Sequence, residues 1–139
     1  MFKYLILIVI FLLFASCESK VEKDAVGTWI IDELYYKNQN FKDSLLANSF
    51  IIKKDNSCEL PIVNIDDNHT LKEKGKWKVI NKGSSYFLEI TSTNELFRGT
   101  YKIETIGKII DSISHDVSFK MKISNNEIKM FCSKIAFVP

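Results

Sequence analysis

The strongest constraint on the fold of this chain is an alternation of apolar and polar side chains with a period of two residues. Over residues 71–79, lysines stand at every second position, and apolar residues and a glycine occupy most of the positions between them. The same alternation recurs over residues 97–104 and 117–124. This period is typical of antiparallel strands with one solvated face and one buried face. The sequence therefore predicts an all-β fold.

Short runs of Asn, Ser, Gly and Glu separate the alternating segments and predict hairpin turns at residues 81–84, 92–95 and 124–127. A single helical turn is predicted over Phe41–Asn48, after the first strand. The eight predicted strands cover residues 26–36, 49–54, 57–63, 71–80, 85–91, 96–105, 116–124 and 127–137.

Eight consecutive antiparallel strands must either close into a barrel or pack as a sandwich, because open strand edges invite aggregation. The chain has 139 residues, which suits one domain, and 46% of them are hydrophobic, so a core can form. We predict an eight-stranded antiparallel up-and-down barrel with one short helix after the first strand. The interior of such a barrel is either filled by side chains or holds one small ligand.

The N-terminal residues form a separate segment. A positive charge at Lys3 precedes an uninterrupted apolar run, Tyr4–Phe14, which is shorter than the roughly 20 residues needed to span a bilayer. Small residues 15–16 and then Cys17 follow. This order resembles the signal of bacterial lipoproteins. The resemblance implies that residues 1–16 are removed and that Cys17 is lipidated as the mature N-terminus.

A lipidated Cys17 implies a protein of the bacterial cell envelope, held at the membrane by its N-terminal acyl chains. Glu18, where lipoproteins retained at the inner membrane have Asp, favours the outer membrane. The alternatives are a plain secretory signal and an uncleaved anchor. Residues 17–24 are highly charged and predict a tether, and the barrel domain covers residues 25–139.

The three cysteines divide in the same way. If Cys17 carries lipid, Cys58 and Cys132 remain as an even pair in an oxidising compartment. A disulfide between them would stabilise the domain by about 4–5 kcal/mol in the chain-entropy model. The alternative is a pair of buried free thiols that behave as small hydrophobic side chains.

A short motif occurs twice, as Gly27-Thr28-Trp29 at the start of the first strand and as Gly75-Lys76-Trp77 in mid-chain. Together with the run of hairpins, this resembles the lipocalin-like lipoproteins of Bacteroidota. The resemblance implies that Gly27 allows a close approach of the chain and that Trp29 plugs one barrel end. In lipocalins an Arg near the last strand packs on the first Trp, whereas the single Arg of this chain is Arg98, in the sixth predicted strand.

Several apolar side chains of the predicted strands share the inward parity. They either line a ligand cavity or fill the core of a small barrel. These candidate ligand-lining residues are Trp77, Phe97, Tyr101, Phe119 and Met121.

The sequence carries no motif for nucleophilic, metal-assisted or phosphate chemistry. His69 and His115 lie in polar segments that predict solvated turns rather than sites. Glu33, Glu73 and Glu89 are the carboxylates that a hydrolase with paired acids would bring together. We predict no catalytic residue, no cofactor and no metal.

With 19 basic and 17 acidic residues, the chain lacks the charge of a general nucleic-acid binder. We therefore expect a non-enzymatic, lipid-anchored envelope protein of lipocalin-like type that binds a small apolar ligand in the barrel. The alternative is a protein-interaction module, such as an inhibitor, an immunity protein or an accessory subunit of an envelope complex.

Overall fold

The computed structural model describes residues 18–66, 69–70 and 74–135, with side chains for all of these except 64–66 and 69–70. A helix α1 (Lys20–Ala25) comes first, and a 3₁₀ helix (Lys42–Ser44) lies between the second and third strands. The strands are β1 (Gly27–Tyr36), β2 (Gln39–Asn40), β3 (Leu45–Ala47), β4 (Ser49–Ile52), β5 (Ser57–Glu59), β6 (Ile62–Asp66), β7 (His69–Thr70), β8 (Lys74–Lys82), β9 (Ser85–Ser92), β10 (Gly99–Ile110), β11 (Val117–Ser124) and β12 (Ile128–Lys134).

Eight of these strands close into an antiparallel barrel. Their order is β1-β4-β5-β8-β9-β10-β11-β12, and β12 pairs back with β1. Each strand therefore lies beside the barrel strand that precedes it in the chain, as an up-and-down barrel requires. Because the last strand pairs with the first, the main sheet is closed on itself. The predicted barrel is confirmed, and a short 3₁₀ helix follows the first strand.

The connections between β1 and β4 and between β5 and β8 form a second, small sheet. In it, β3 pairs with β6 and β6 pairs with β7. The single strand predicted over residues 57–63 is therefore wrong, since Leu60-Pro61 separates β5 from β6. Proline has no backbone N–H and cannot continue a central ladder. The helical turn predicted over residues 41–48 is limited to Lys42–Ser44, because β3 begins at the next residue.

The strand predicted over residues 96–105 begins later and ends later than expected. Residues 95–97 form a turn, and β10 runs from Gly99 to Ile110. The turn is organised by the buried side chain of Asn94, whose Oδ1 accepts the backbone N–H groups of Leu96 and Phe97 at 3.0 and 3.2 Å. An Asn that bonds its own following backbone favours a turn over a strand.

Part of the predicted tether is ordered as α1. Ser19 caps this helix: its hydroxyl accepts the N–H of Glu22, and the Glu22 carboxylate accepts the N–H of Ser19 at 2.7 Å. This reciprocal capping box supplies partners for N–H groups that a helix start otherwise leaves unpaired. The helix lies against β8 and β10, and its last residue, Ala25, is buried in the core.

Candidate functional site

The first Gly-x-Trp motif joins the barrel to α1. Trp29 is completely buried, and its indole N–H donates to the carbonyl oxygen of Ala25 at 2.7 Å. A buried indole N–H without a partner would be costly, so this bond fixes the helix end against the barrel. The structure therefore places Trp29 at the barrel end, next to the end of α1.

Lys134, the last residue of β12, covers Trp29. Its Nζ lies 4.8 Å from the Trp29 ring centroid and 5.2 Å from that of Phe119, and it donates to the backbone carbonyl of Asp24 at 2.6 Å. Burial lowers the pKa of Lys134, and the Asp24 charge partly opposes this effect. A cation therefore lies over two aromatic rings at the end of β12.

The backbone conformation and the close packing at position 27 require a glycine. Its φ is +145°, a conformation that side chains rarely adopt, and a Cβ there would lie 2.9 Å from Cε of Lys134. The glycine therefore makes room for the lysine that covers Trp29.

The second motif lies three strands away in the same hydrogen-bonded row. Gly27 pairs with Ile52, Ile52 with Cys58, and Cys58 with Gly75. The indole N–H of the buried Trp77 donates to the carbonyl of Lys53 at 2.7 Å, in the turn between β4 and β5. The two motifs therefore flank the β4–β5 hairpin on either side.

Four of the five candidate ligand-lining residues belong to the packed core. Trp77, Phe97, Tyr101 and Met121 are all buried, and the hydroxyl of Tyr101 donates to the carbonyl of Phe97 at 2.9 Å. Burial raises the pKa of Tyr101 well above its usual range. The fifth residue, Phe119, is partly buried under Lys134. These contacts match the alternative in which the side chains fill the core.

Cys58 and Cys132 are both buried free thiols, which matches the second of the two alternatives for this pair. Cys58 lies on β5 and Cys132 on β12, with β4 and β1 between them. Three strand spacings amount to roughly 14 Å along the barrel wall, and a disulfide needs Cα atoms within about 7 Å. Burial raises the pKa of Cys58 to about 11 and that of Cys132 to about 12, and the charge of Asp32 adds to the latter. Both thiols are therefore unreactive.

A groove of about 500 Å³ crosses four strands on the outer wall of the barrel, and no sequence motif indicated it. It carries a β-bulge on each flank, at Asp32 in β1 and at Glu104 in β10. Phe131 lies in it as an aromatic ring on the solvent-facing parity of β12, which was the one available sequence signal. We refer to it as the wall groove, lined by Asp32, Glu33, Thr105, Lys120, Met121, Lys122, Phe131 and Cys132.

Two hydrogen-bonded networks border the wall groove. In one, Lys120 donates to the hydroxyl of Ser133 at 2.5 Å, and that hydroxyl donates to the carboxylate of Asp32. In the other, Lys122 pairs with Glu104 at 2.6 Å, and the two hydrogen bonds from Lys122 and Ser124 lower the pKa of Glu104.

The wall groove therefore offers both charges beside an aromatic surface. Lys122 Nζ also lies 5.1 Å from the ring centroid of Phe131.

These networks bond their polar groups to one another. Ser133 accepts from Lys120 and donates to Asp32, and the strands that carry the three residues are paired on both sides of the bulge at Asp32. An acyl-transfer site needs donors that point at a developing oxyanion. We interpret the cluster as a polar network that orders the border of the wall groove.

Of the carboxylates considered for a hydrolase, the two that the structure describes, Glu33 and Glu89, are not brought together. Glu33 lies outside the barrel, because the bulge at Asp32 reverses the parity of β1, and it accepts a bond from Tyr35. Glu89 pairs with Lys78 at 2.9 Å on β8–β9, with three strands between β9 and β1. Their companion Glu73 lies outside the described residues.

Of the two histidines, only His115 has a described side chain. His115 is in the exposed turn between β10 and β11, and the side chain of His69 is outside the described part of the structure. Among the described residues, no group of three His, Cys, Asp or Glu side chains is placed to hold a metal ion. Cys17 also lies outside the described residues.

None of the helices within residues 18–66 and 74–135 is long and apolar enough to cross a membrane. Comparisons with protein-family models, curated proteins and solved structures gave no match for this chain.

Proposed function

We propose that this protein is a non-enzymatic, lipid-anchored component of the bacterial cell envelope that binds a small amphipathic molecule in the wall groove. The observation that carries the binding function is the groove itself. Its volume of about 500 Å³ lies within the usual range of small-molecule sites, about 300–1,000 Å³. The packing of four candidate ligand-lining residues in the core moves the proposed site from the barrel interior to its outer wall.

The side chains of the wall groove define the chemistry of the ligand. Phe131 supplies an apolar surface, Lys120 and Lys122 supply positive charge on one strand, and Asp32 supplies negative charge two strands away. A mainly apolar molecule with one charged or zwitterionic group would cover the ring and compete for one of the ion pairs. Since each lysine already has an acidic partner, a simple anion gains little there.

A matched pair of outer-wall phenylalanines tests the binding site. Phe131 lies under Lys122, and Phe87 lies under Lys82 at 5.2 Å on β9, away from the wall groove. Native mass spectrometry of the full chain purified from its own host should show a bound small molecule. Phe131→Ala should lose that molecule, and Phe87→Ala should retain it. Equal retention in both variants would contradict the wall-groove proposal.

The anchoring function rests on the N-terminal sequence. The apolar run, the small residues and Cys17 support a lipoprotein signal, and Glu18 supports the outer membrane. Replacing Cys17 with Ser should remove the acyl chains and move the protein from the membrane fraction to the soluble fraction. A Cys17→Ser protein that stays with the membranes would contradict lipid anchoring and leave the wall-groove test unaffected.

A further inference from the structure

Exposed apolar side chains are concentrated at one end of the barrel. The described residues include six large hydrophobic side chains that are well exposed, and four of them belong to the β10–β11 hairpin. Ile113, in the turn, is 90% exposed. We call this set the hairpin tip: Ile109, Ile110, Ile113 and Val117.

The hairpin tip extends beyond the neighbouring strands. Lys108 of β10 pairs with Phe119 of β11, and Phe119 pairs with Lys134, the last residue of β12. The β10–β11 ladder continues for two more pairs and ends at Ile110–Val117. Among the described residues, these two pairs have no partner on β12, and the inward side chains of the same parity as the buried Met121 are exposed at the tip. The apolar residues of the hairpin tip therefore lie on a projection beyond the end of the barrel core.

Helix α1, the first element of the described residues, lies at this same end. Lys134 reaches back to the Asp24 carbonyl, Trp29 bonds to Ala25, and α1 lies against β10. From Cys17 to the first residue of the helix, Lys20, an extended chain spans roughly 10 Å. A lipid on Cys17 would therefore hold this end of the barrel close to the bilayer. The opposite end carries the one exposed Leu46, in β3.

From this placement we infer that the hairpin tip inserts into the membrane surface to which Cys17 is anchored. The inference rests on the lipid anchoring proposed above and adds a second, non-covalent contact with the bilayer. A second apolar contact strengthens the attachment that the acyl chains provide and fixes the orientation of the barrel on the membrane. The tip is polar around Ile113, with serines on both sides. A narrow projection with one apolar side chain at its outermost position suits the boundary between head groups and acyl chains better than a flat protein interface.

The charges of the tip limit its insertion to head-group depth. The carboxylate of Asp111 accepts the N–H groups of Ile113 and Ser114, each at 2.8 Å, which lowers the pKa of Asp111 and orders the turn. Asp116 is exposed on the other side of the turn. These acids keep the base of the turn among the head groups, with Ile113 at the outermost position.

The inference is tested with the full chain and one introduced cysteine at a time. Cys58 and Cys132 are buried and have raised pKa values, so a thiol-reactive fluorophore labels the new site selectively. Ile113→Cys reports on the tip, and Leu46→Cys is the matched exposed control at 64% exposure. Each labelled lipoprotein is reconstituted into vesicles of phosphatidylethanolamine and phosphatidylglycerol that contain a nitroxide-labelled lipid as quencher.

The quenching is expected to be at least about threefold stronger at Ile113→Cys than at Leu46→Cys, since a shallow insertion of about 5–10 Å reaches the acyl boundary. If both labels remain in water while the protein sediments with the vesicles, the tip does not insert and lipid anchoring stands. If the protein stays in solution, both proposals fail. A tip label that is shielded from water but insensitive to the lipid quencher indicates contact with another protein, such as a second copy, and overturns the inference.

Discussion

The two Gly-x-Trp motifs share a sequence pattern, a row of the sheet and an indole hydrogen bond of 2.7 Å, but they hold different parts of the chain. The indole of Trp29 bonds to Ala25 in a helix outside the barrel. The indole of Trp77 bonds to Lys53 in the turn of an adjacent hairpin. The first motif therefore attaches the N-terminal segment, whereas the second orders a local turn. A repeated motif in one sheet thus identifies equivalent packing positions. The neighbouring element that the indole bonds to determines the role of each position.

The largest expected effect on stability comes from removing the indole ring of either motif. Trp29→Ala should lower the free energy of unfolding by about 3–5 kcal/mol, since it removes a fully buried aromatic side chain. Trp77→Ala should cost less than Trp29→Ala, because Trp77 is 5% exposed and carries no covering lysine. Urea unfolding of both variants measures the difference, and a larger loss at Trp77 would contradict the distinction.

The glycines of the two motifs should respond differently to a second substitution. Gly27→Ala and Gly75→Ala are each expected to cost about 1–3 kcal/mol, from backbone strain at Gly27 and from overpacking at Gly75. A Cβ at Gly27 meets the flexible end of Lys134, whereas one at Gly75 lies 2.9 Å from the backbone oxygen of Thr91.

Truncating Lys134 should therefore relieve part of the cost of Gly27→Ala. Truncating Cys58, whose Sγ would lie 3.2 Å from a Cβ at Gly75, should leave most of the cost of Gly75→Ala. Thermal unfolding of the two double-mutant cycles decides between these outcomes, and additive costs at Gly27 would contradict the contact with Lys134.

A substitution that keeps the aromatic ring should show which part of the chain each indole hydrogen bond stabilises. Trp29→Phe and Trp77→Phe keep an aromatic ring and remove only the indole N–H, at a cost of about 1 kcal/mol. Hydrogen exchange should become faster in α1 for Trp29→Phe and in the turn at residues 53–56 for Trp77→Phe. Faster exchange at both places in either variant would mean that the two motifs are not independent.

The smallest expected effect is a pH dependence confined to the first motif. Burial lowers the pKa of Lys134 in the folded state, so between that value and the unfolded value of about 10.4 the unfolded chain binds more protons. Stability should therefore rise with pH across this window in the natural protein relative to Lys134→Met. At lower pH the desolvation cost of the charged lysine is fully present. Parallel pH profiles of the two proteins would contradict this origin.

Much of the barrel could be predicted, because the alternation of apolar and polar residues around Trp77, Tyr101 and Met121 indicates which side chains face inward. The helix over part of the tether was also readable, since Ser19 and Glu22 have the spacing of a capping box. The contact of Lys134 with Trp29 could not be predicted, because it depends on the pairing of β12 with β1, which the sequence around Lys134 does not indicate. The wall groove depends on two bulges and on four strands meeting, and no single segment encodes it.

The bulge at Asp32 has a consequence for how β1 can vary. The bulge shifts the alternation of side chains by one residue. Ile31 faces inward before it and Leu34 faces inward after it, three positions later instead of two. Deleting this one residue would remove the bulge, because Ile31 and Glu33 already pair with neighbouring residues of β12, and Ile31 and Leu34 would then face inward at the regular spacing of two. The bulge is therefore the position of β1 at which the chain can lose one residue and keep its inward face, whereas a deletion elsewhere in the strand would turn the following side chains over, and related chains should differ in length at this position.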